Sequence, residues 1–190
     1  MIRKVNPNTI GIILFIIISV TFSYYPAFSA TYQATIVKIT DGDTVWVKAN
    51  GRRVKLRLLG IDTPEEYYSK KMLKDIRICK TTYKVMRKLG LLATKHTETL
   101  MHKGEIVTIK TFGRGYYGRI LAFIILPNGV NYNEQEVADG YACVYKYHGH
   151  KSSQLSWNEF FKLNKLLKQA KRHRKGLWGI NYGIMECLCR

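Results

Sequence analysis

Asn50-Gly51 sits between two runs of alternating residues, 44–48 and 53–59. An Asn-Gly pair readily supplies the two positive-φ positions of a tight hairpin turn, whose twist suits antiparallel strands. Side chains along a strand point to opposite faces in turn, so pairing across this turn gathers Val45, Val47, Val54, Leu56 and Leu58 on one side. Thr44, Trp46, Lys48, Arg53, Lys55 and Arg57 fall on the other. One face builds a core and the other is basic.

The remaining pattern extends this hairpin into a small barrel. Residues 32–39, 105–111 and 119–126 are apolar and β-branched and read as strands, the last two joined by a Gly-rich loop at 112–118. Helical spacing predicts helices over 81–102 (with Gly90 as a candidate break), 133–139 ending at Gly140, and 152–172. Residues 66–80 are lysine-rich and read as irregular. The fold class expected is α+β: a five-stranded OB-fold Greek-key β-barrel with about three packed helices.

Charge narrows the choice of partner. The chain carries 31 basic and 13 acidic residues, a formal net charge of +18. Such an excess attracts polyanions and says nothing about fold. Five of the acids, Asp41, Asp43, Asp62, Glu65 and Glu66, nevertheless crowd into positions 41–66 around Arg57. Taken singly, Asp-Gly or Asp-Thr-Pro reads as a turn whose carboxylate accepts a local backbone N–H. Their coincidence with Arg57 and Glu65 favours a site instead.

Asp43, Asp62 and the Thr63 carbonyl are hard oxygen donors suited to Ca²⁺ or Mg²⁺. Glu65 is placed to take a proton from an attacking water. Glu66 reads only as a helix N-terminal residue favoured by the dipole. Arg57 and Arg119 offer planar guanidinium forks to the equatorial oxygens of a phosphate under attack. Tyr116 and Tyr117 are candidates to stack on a base or bond a phosphate, the plain alternative being barrel packing. These residues together point to metal-assisted phosphodiester hydrolysis. Strict alternation, however, puts Asp43 and Arg57 on opposite faces. A bulge, strong barrel curl, or a place for Asp43 at the strand's rim would bring them together.

Residues 1–30 read as a targeting segment. Arg3 and Lys4 precede an apolar run, and Pro26-Ala27-Phe28-Ser29-Ala30 offers cleavage after Ser29 or after Ala30. An uncleaved membrane anchor is the alternative. With no repeat or low-complexity linker, 31–190 reads as one domain of an exported (secreted or periplasmic) protein. Export invites disulfides among Cys79, Cys143, Cys187 and Cys189, with the tail bridging to Cys79 or Cys143; free buried thiols are the alternative. His148 and His150 are a weak metal pair, no histidine lies inside the carboxylate island, and 171–175 reads as a solvated cationic helix end.

Three separate segments make the chain similar to a known family. Ile39-Thr40-Asp41-Gly42-Asp43-Thr44-Val45, Arg57-Leu58-Leu59-Gly60-Ile61-Asp62-Thr63-Pro64-Glu65 and Tyr117-Gly118-Arg119-Ile120-Leu121-Ala122 resemble, in order and spacing, the staphylococcal (micrococcal) nuclease-like family. Looser likeness runs through Gly140-Tyr141-Ala142 to Gly176-Leu177-Trp178. The resemblance implies a five-stranded OB barrel with three helices and Ca²⁺-dependent cleavage of single- and double-stranded DNA and of RNA, leaving 3′-phosphates. It implies calcium ligation by Asp43, Asp62 and the Thr63 carbonyl, with Asp41 behind them. Glu65 matches the glutamate at the water, Arg57 and Arg119 the arginines on the scissile phosphate, and Tyr117 a tyrosine near the terminal phosphate. A monomer without a stable protein partner is expected. Departures are Tyr116 in place of a phosphate-binding lysine, an unaligned segment at 66–84, and more than one register for 145–148. A catalytically inactive OB module that only binds nucleic acid is the competing reading.

Overall fold

The computed structural model describes residues 30–145 and 155–189. The targeting segment up to Ser29, the His148 and His150 pair and the start of the helix expected at 152 lie outside the described residues. Five strands close into a barrel: β1 (Thr31–Asp41), β2 (Thr44–Ala49), β3 (Arg52–Leu58), β5 (Ile106–Arg114) and β6 (Ile120–Ile125). Their order is β1-β2-β3-β6-β5, antiparallel except where β3 runs parallel to β6. Between β3 and the helices, β4 (Ile61–Asp62) pairs with β7 (Cys143–Val144) in a two-residue ribbon. The OB-type barrel expected from the alternation is the one observed.

Alternation builds the barrel core. Val45, Val47, Leu56 and Leu58 are buried and meet Ile36, Ile109 and Ile124 from the other strands. Val54 is only half-buried. The hairpin turns at Asn50 and Gly51, both with positive φ, between Ala49 and Arg52 as partners. Asp43 resolves its conflict with Arg57 by standing at the rim. Asp41 pairs with Thr44, so Gly42 and Asp43 form the turn between β1 and β2, outside the pleat. The Asp43 carbonyl accepts the Leu58 N–H at 2.8 Å, which curls this turn over the end of β3.

Among the described residues six helices flank the barrel, where about three were expected: α1 (Lys70–Ile78), α2 (Tyr83–Leu100), α3 (Tyr132–Ala138), α4 (Trp157–Arg172), α5 (Leu177–Ile180) and α6 (Tyr182–Leu188). Helix α1 corrects the irregular reading of 66–80. Its sequence is dominated by charge, with Met72 its one fully buried anchor, and Ser69 starts it by accepting the Met72 N–H at 3.0 Å. Glu66 therefore precedes the helix and is buried in the connecting segment, not at a helix N-terminus. Helix α4 begins at Trp157, where Ser156 and Glu159 form a capping box.

Helix α2 runs unbroken through Gly90 because that glycine serves packing. A Cβ there would lie 2.4 Å from the Glu65 carbonyl carbon and from the Glu66 nitrogen. The helix thus presses its bare backbone against the segment that carries Glu65. Two disulfides, Cys79–Cys187 and Cys143–Cys189, tie α6 to the end of α1 and to β7. They close loops of 108 and 46 residues in sequence separation. Each removes freedom from the unfolded chain, worth about 2–4 kcal/mol apiece in the usual range.

Candidate active site

A cleft of about 610 Å³ opens where the β1–β2 turn, the end of β3, β4 and the start of α1 meet. Asp41, Asp43, Arg57, Asp62, Glu65, Tyr117 and Arg119 all line it. Thr63 stands behind them, buried, and a Cβ on Gly42 would come within 2.7 Å of its side chain. The turn and the Asp62-Thr63 segment pack this closely because Gly42 has no side chain. From the far side, the Tyr132 hydroxyl donates to the Gly42 carbonyl at 2.8 Å and fixes the turn.

Arg57 is the hub of the floor. Its Nη1 pairs with Asp43 Oδ1, and its Nη2 donates to Asp62 Oδ1 at 2.7 Å. Asp43 Oδ2 accepts the Thr63 N–H at 3.0 Å, and Asp43 Oδ1 also accepts the Thr44 hydroxyl at 3.0 Å. Burial works against the Asp43 charge, yet Arg57 and Lys71 outweigh it and hold the carboxyl below its ordinary range. Burial likewise opposes the Arg57 charge, and Asp43 and Asp62 more than compensate, so the guanidinium stays protonated. Asp41 differs. Burial, then the Asp43 charge, push its carboxyl up to about 8, and its Oδ1 accepts the Asp43 N–H at 3.1 Å.

The second half of the cleft centres on a residue that was not singled out from sequence. Lys71 Nζ lies 3.1 Å from Asp62 Oδ2, 3.1 Å from Glu65 Oε1 and 3.4 Å from the Thr63 carbonyl oxygen. Asp75, one turn further along α1, is 3.6 Å away. Burial would lower the ammonium pKa, but Asp62 and Glu65 raise it above the ordinary lysine value. Glu65 is held from its other oxygen by the Ser69 hydroxyl, which donates at 3.1 Å. Helix α1 therefore delivers both the cap that orients Glu65 and the cation that faces it. A detectable signal existed: a serine cap followed by two lysines, with no acid in the first turn, runs against the helix dipole.

Across the cleft, Arg119 enters just before β6, its guanidinium 5.9 Å from the Tyr117 ring centre. Tyr117 is 94% exposed and adopts φ of 59° in the one-turn 3₁₀ segment Tyr116–Gly118. That geometry makes it a projecting ring, not barrel packing. Tyr116 opens the same segment. Lys55, Lys70 and Tyr145 also line the cleft, and residues 146–148 lie outside the described residues.

Whether these groups suit a hard cation is decided by their oxygens. Asp62, Glu65 and the Thr63 carbonyl converge on the single point held by the Lys71 ammonium, and all are oxygen donors of the kind Ca²⁺ takes. Asp43 instead spends its oxygens on Arg57, Thr44 and the Thr63 N–H. Among the described residues no three His, Cys, Asp or Glu side chains stand ready as a metal site. Two carboxylates and a carbonyl fit a cation, and an ammonium is the ion that stands in for it.

Barrel, carboxylate island and paired arginines define a class of phosphodiester-handling OB proteins. A model of the staphylococcal nuclease homologue family matches residues 55–179, and the chain belongs to that family, a class of hydrolytic nucleases. It is 33% identical over 175 residues to an uncharacterised protein of Methanocaldococcus jannaschii, covering 83% of this chain and 78% of that one. Identity is 31% over 154 residues to an uncharacterised endonuclease of Escherichia coli, covering 81% and 82%. A micrococcal nuclease of Shigella flexneri is 28% identical over 158 residues, covering 78% and 75%.

Proposed function

We propose that this chain is a Ca²⁺-dependent, sugar-nonspecific nuclease that cleaves single- and double-stranded DNA and RNA to 3′-phosphate products. One observation carries the reading: Asp62, Glu65 and the Thr63 carbonyl aim at one cation position in the cleft that Arg57 and Arg119 also line. Asp62, Thr63 and Asp43 would hold calcium, which supplies neutralisation of charge at the phosphate. Asp43 would have to loosen its hold on Arg57 to do so.

Glu65, steadied by Ser69, accepts the proton of the attacking water. Arg57 and Arg119 grip the equatorial oxygens as negative charge gathers there, and the 5′-oxygen departs. Tyr117, nearly all exposed at the rim, offers a ring to a base or a hydroxyl to a terminal phosphate. The net charge of +18 draws the polyanion in without regard to sequence or sugar. Two disulfides and the character of residues 1–30 support an exported enzyme working in an oxidising compartment.

The test is incubation of the purified protein with DNA and RNA in Ca²⁺ or EDTA, beside Glu65→Gln and Arg119→Ala. Calcium-dependent cleavage to 3′-phosphate ends, reduced at least about 10²-fold in each variant, is expected. Binding without cleavage would make the chain a nucleic-acid-binding module instead.

A further inference from the structure

Helix α1 opens with Lys70 and Lys71 and has no acidic residue in its first turn. Positive charge is unfavourable at that end, where the N–H groups already present a partial positive charge. Lys71 is nonetheless embedded in oxygens: Asp62 and Glu65 at 3.1 Å, the Thr63 carbonyl at 3.4 Å, and Asp75 at 3.6 Å. Local rules are broken at this position and the cleft compensates, a pattern that marks functional residues.

We propose that Lys71 is a resident competitor for the metal: its ammonium fills the cation position of the metal-free site and must swing out before Ca²⁺ binds. This inference rests on the calcium reading above and adds a control to it. A divalent ion binds oxygens at about 2.3–2.6 Å. The ammonium already meets an Asp62 oxygen at 3.1 Å and the Thr63 carbonyl at 3.4 Å, two of the donors assigned to calcium, so the two cations cannot share them. The side chain can leave, because it is 37% exposed and ends a flexible four-carbon stem. Asp75, at the i+4 position on the same helix, remains as a carboxylate for the displaced ammonium.

Two consequences follow from this geometry. Without metal, Lys71 neutralises Asp62 and Glu65, so the ligand set stays assembled instead of springing apart by mutual repulsion. With metal, only the fraction of molecules whose lysine has left is competent, and the apparent dissociation constant is the intrinsic one divided by that fraction. Lys71 thus sets the calcium concentration at which the site fills. It touches neither the water nor the phosphate in this account and is a positioning residue.

Calcium titration by calorimetry, without nucleic acid, tests the idea on the full chain, with thermal melting in EDTA and in Ca²⁺ as a second readout. Lys71→Met should bind Ca²⁺ at least about tenfold more tightly than the parent. It should also melt lower in EDTA and gain more from calcium. Lys71→Arg, which keeps the charge, should not tighten binding. Lys74→Met, an exposed charge on the same helix, should behave as the parent. Binding by Lys71→Met no tighter than by Lys74→Met would overturn the competitor role and leave the calcium reading intact. Absence of calcium binding in the parent and in every variant would overturn both.

Discussion

Among the described residues, two carboxylate–cation clusters are put to opposite uses. The inner one joins α2 to α3: His96 Nδ1 sits 2.7 Å from Glu136 Oε2, and His96 Nε2 3.3 Å from Asp139 Oδ2. Its imidazole stacks flat on Tyr141 at 3.9 Å, and Glu136 is fully buried. The cleft cluster holds Arg57 and Lys71 among Asp43, Asp62, Glu65 and Asp75, with one side open to solvent. A ring stacked on Tyr141 and held at both nitrogens is pinned in place, whereas a lysine with 37% of its side chain exposed is not. Pinning makes the first cluster a strut; an open side suits the second to be a site. Tyr132 lies between them: its hydroxyl meets Thr97, the neighbour of His96, at 2.8 Å and donates to the carbonyl of Gly42 behind the cleft.

The sharpest break of that comparison is Arg57→Lys. Losing the planar fork while keeping a charge between Asp43 and Asp62 should lower turnover about 10²- to 10³-fold, with melting little changed. Steady-state cleavage beside a melting curve checks it. Near-normal turnover would remove Arg57 from the phosphate.

The strut should answer in the opposite currency. His96→Ala leaves Glu136 buried without its partner and should cost about 3 kcal/mol of stability, with activity per folded molecule kept. Its pH signature is distinct. Burial disfavours a charged His96, but Glu136 outweighs it, so the folded histidine holds its proton above the ordinary 6.5. Burial raises Glu136 above 4.5 as well. Folding therefore takes up protons at both groups, and their contribution is full at low pH. It falls as pH climbs from about 4.5 through values above 6.5. His96 holds the Glu136 pKa down, so Glu136 rises further in His96→Ala. The stability gap to the parent should widen from about pH 4.5 as Glu136 ionises in the parent, then narrow above 6.5 as the folded parent's His96 loses its proton; urea titrations read both limbs. A gap that is largest at low pH would refute the assignment.

Smallest in effect is Gly90→Ala. Alanine favours the helix by about 1 kcal/mol. Its methyl would nevertheless strike the Glu65–Glu66 backbone. About tenfold lower turnover is expected from a displaced Glu65. Full activity in a crystallographically unchanged variant would show that α2 does not position the glutamate.

Much of the barrel was legible because strand alternation and the Asn50-Gly51 turn are local signals that burial of one face then enforces. The grouping of Asp43, Arg57, Asp62, Glu65 and Arg119 around one cleft was legible too, since three ordered segments carried it. Helix α1 was not, because a charged nine-residue stretch with one buried anchor has little apolar periodicity and owes its place to Ser69, Met72 and the nearby disulfide. Nor was the β4–β7 ribbon, whose two-residue strands are shorter than any pattern.

Amino-acid order by itself determined the hairpin, the barrel's inward face, the excess of positive charge and the identities of the carboxylates and arginines, all of which depend on neighbours a few residues apart. Tertiary structure alone decided the pairing of the four cysteines, the rim position that lets Asp43 meet Arg57, and the ammonium of Lys71 between Asp62 and Glu65. Each of those is a meeting of groups brought together by the packing of separate elements, and no local spacing encodes the distance across a cleft.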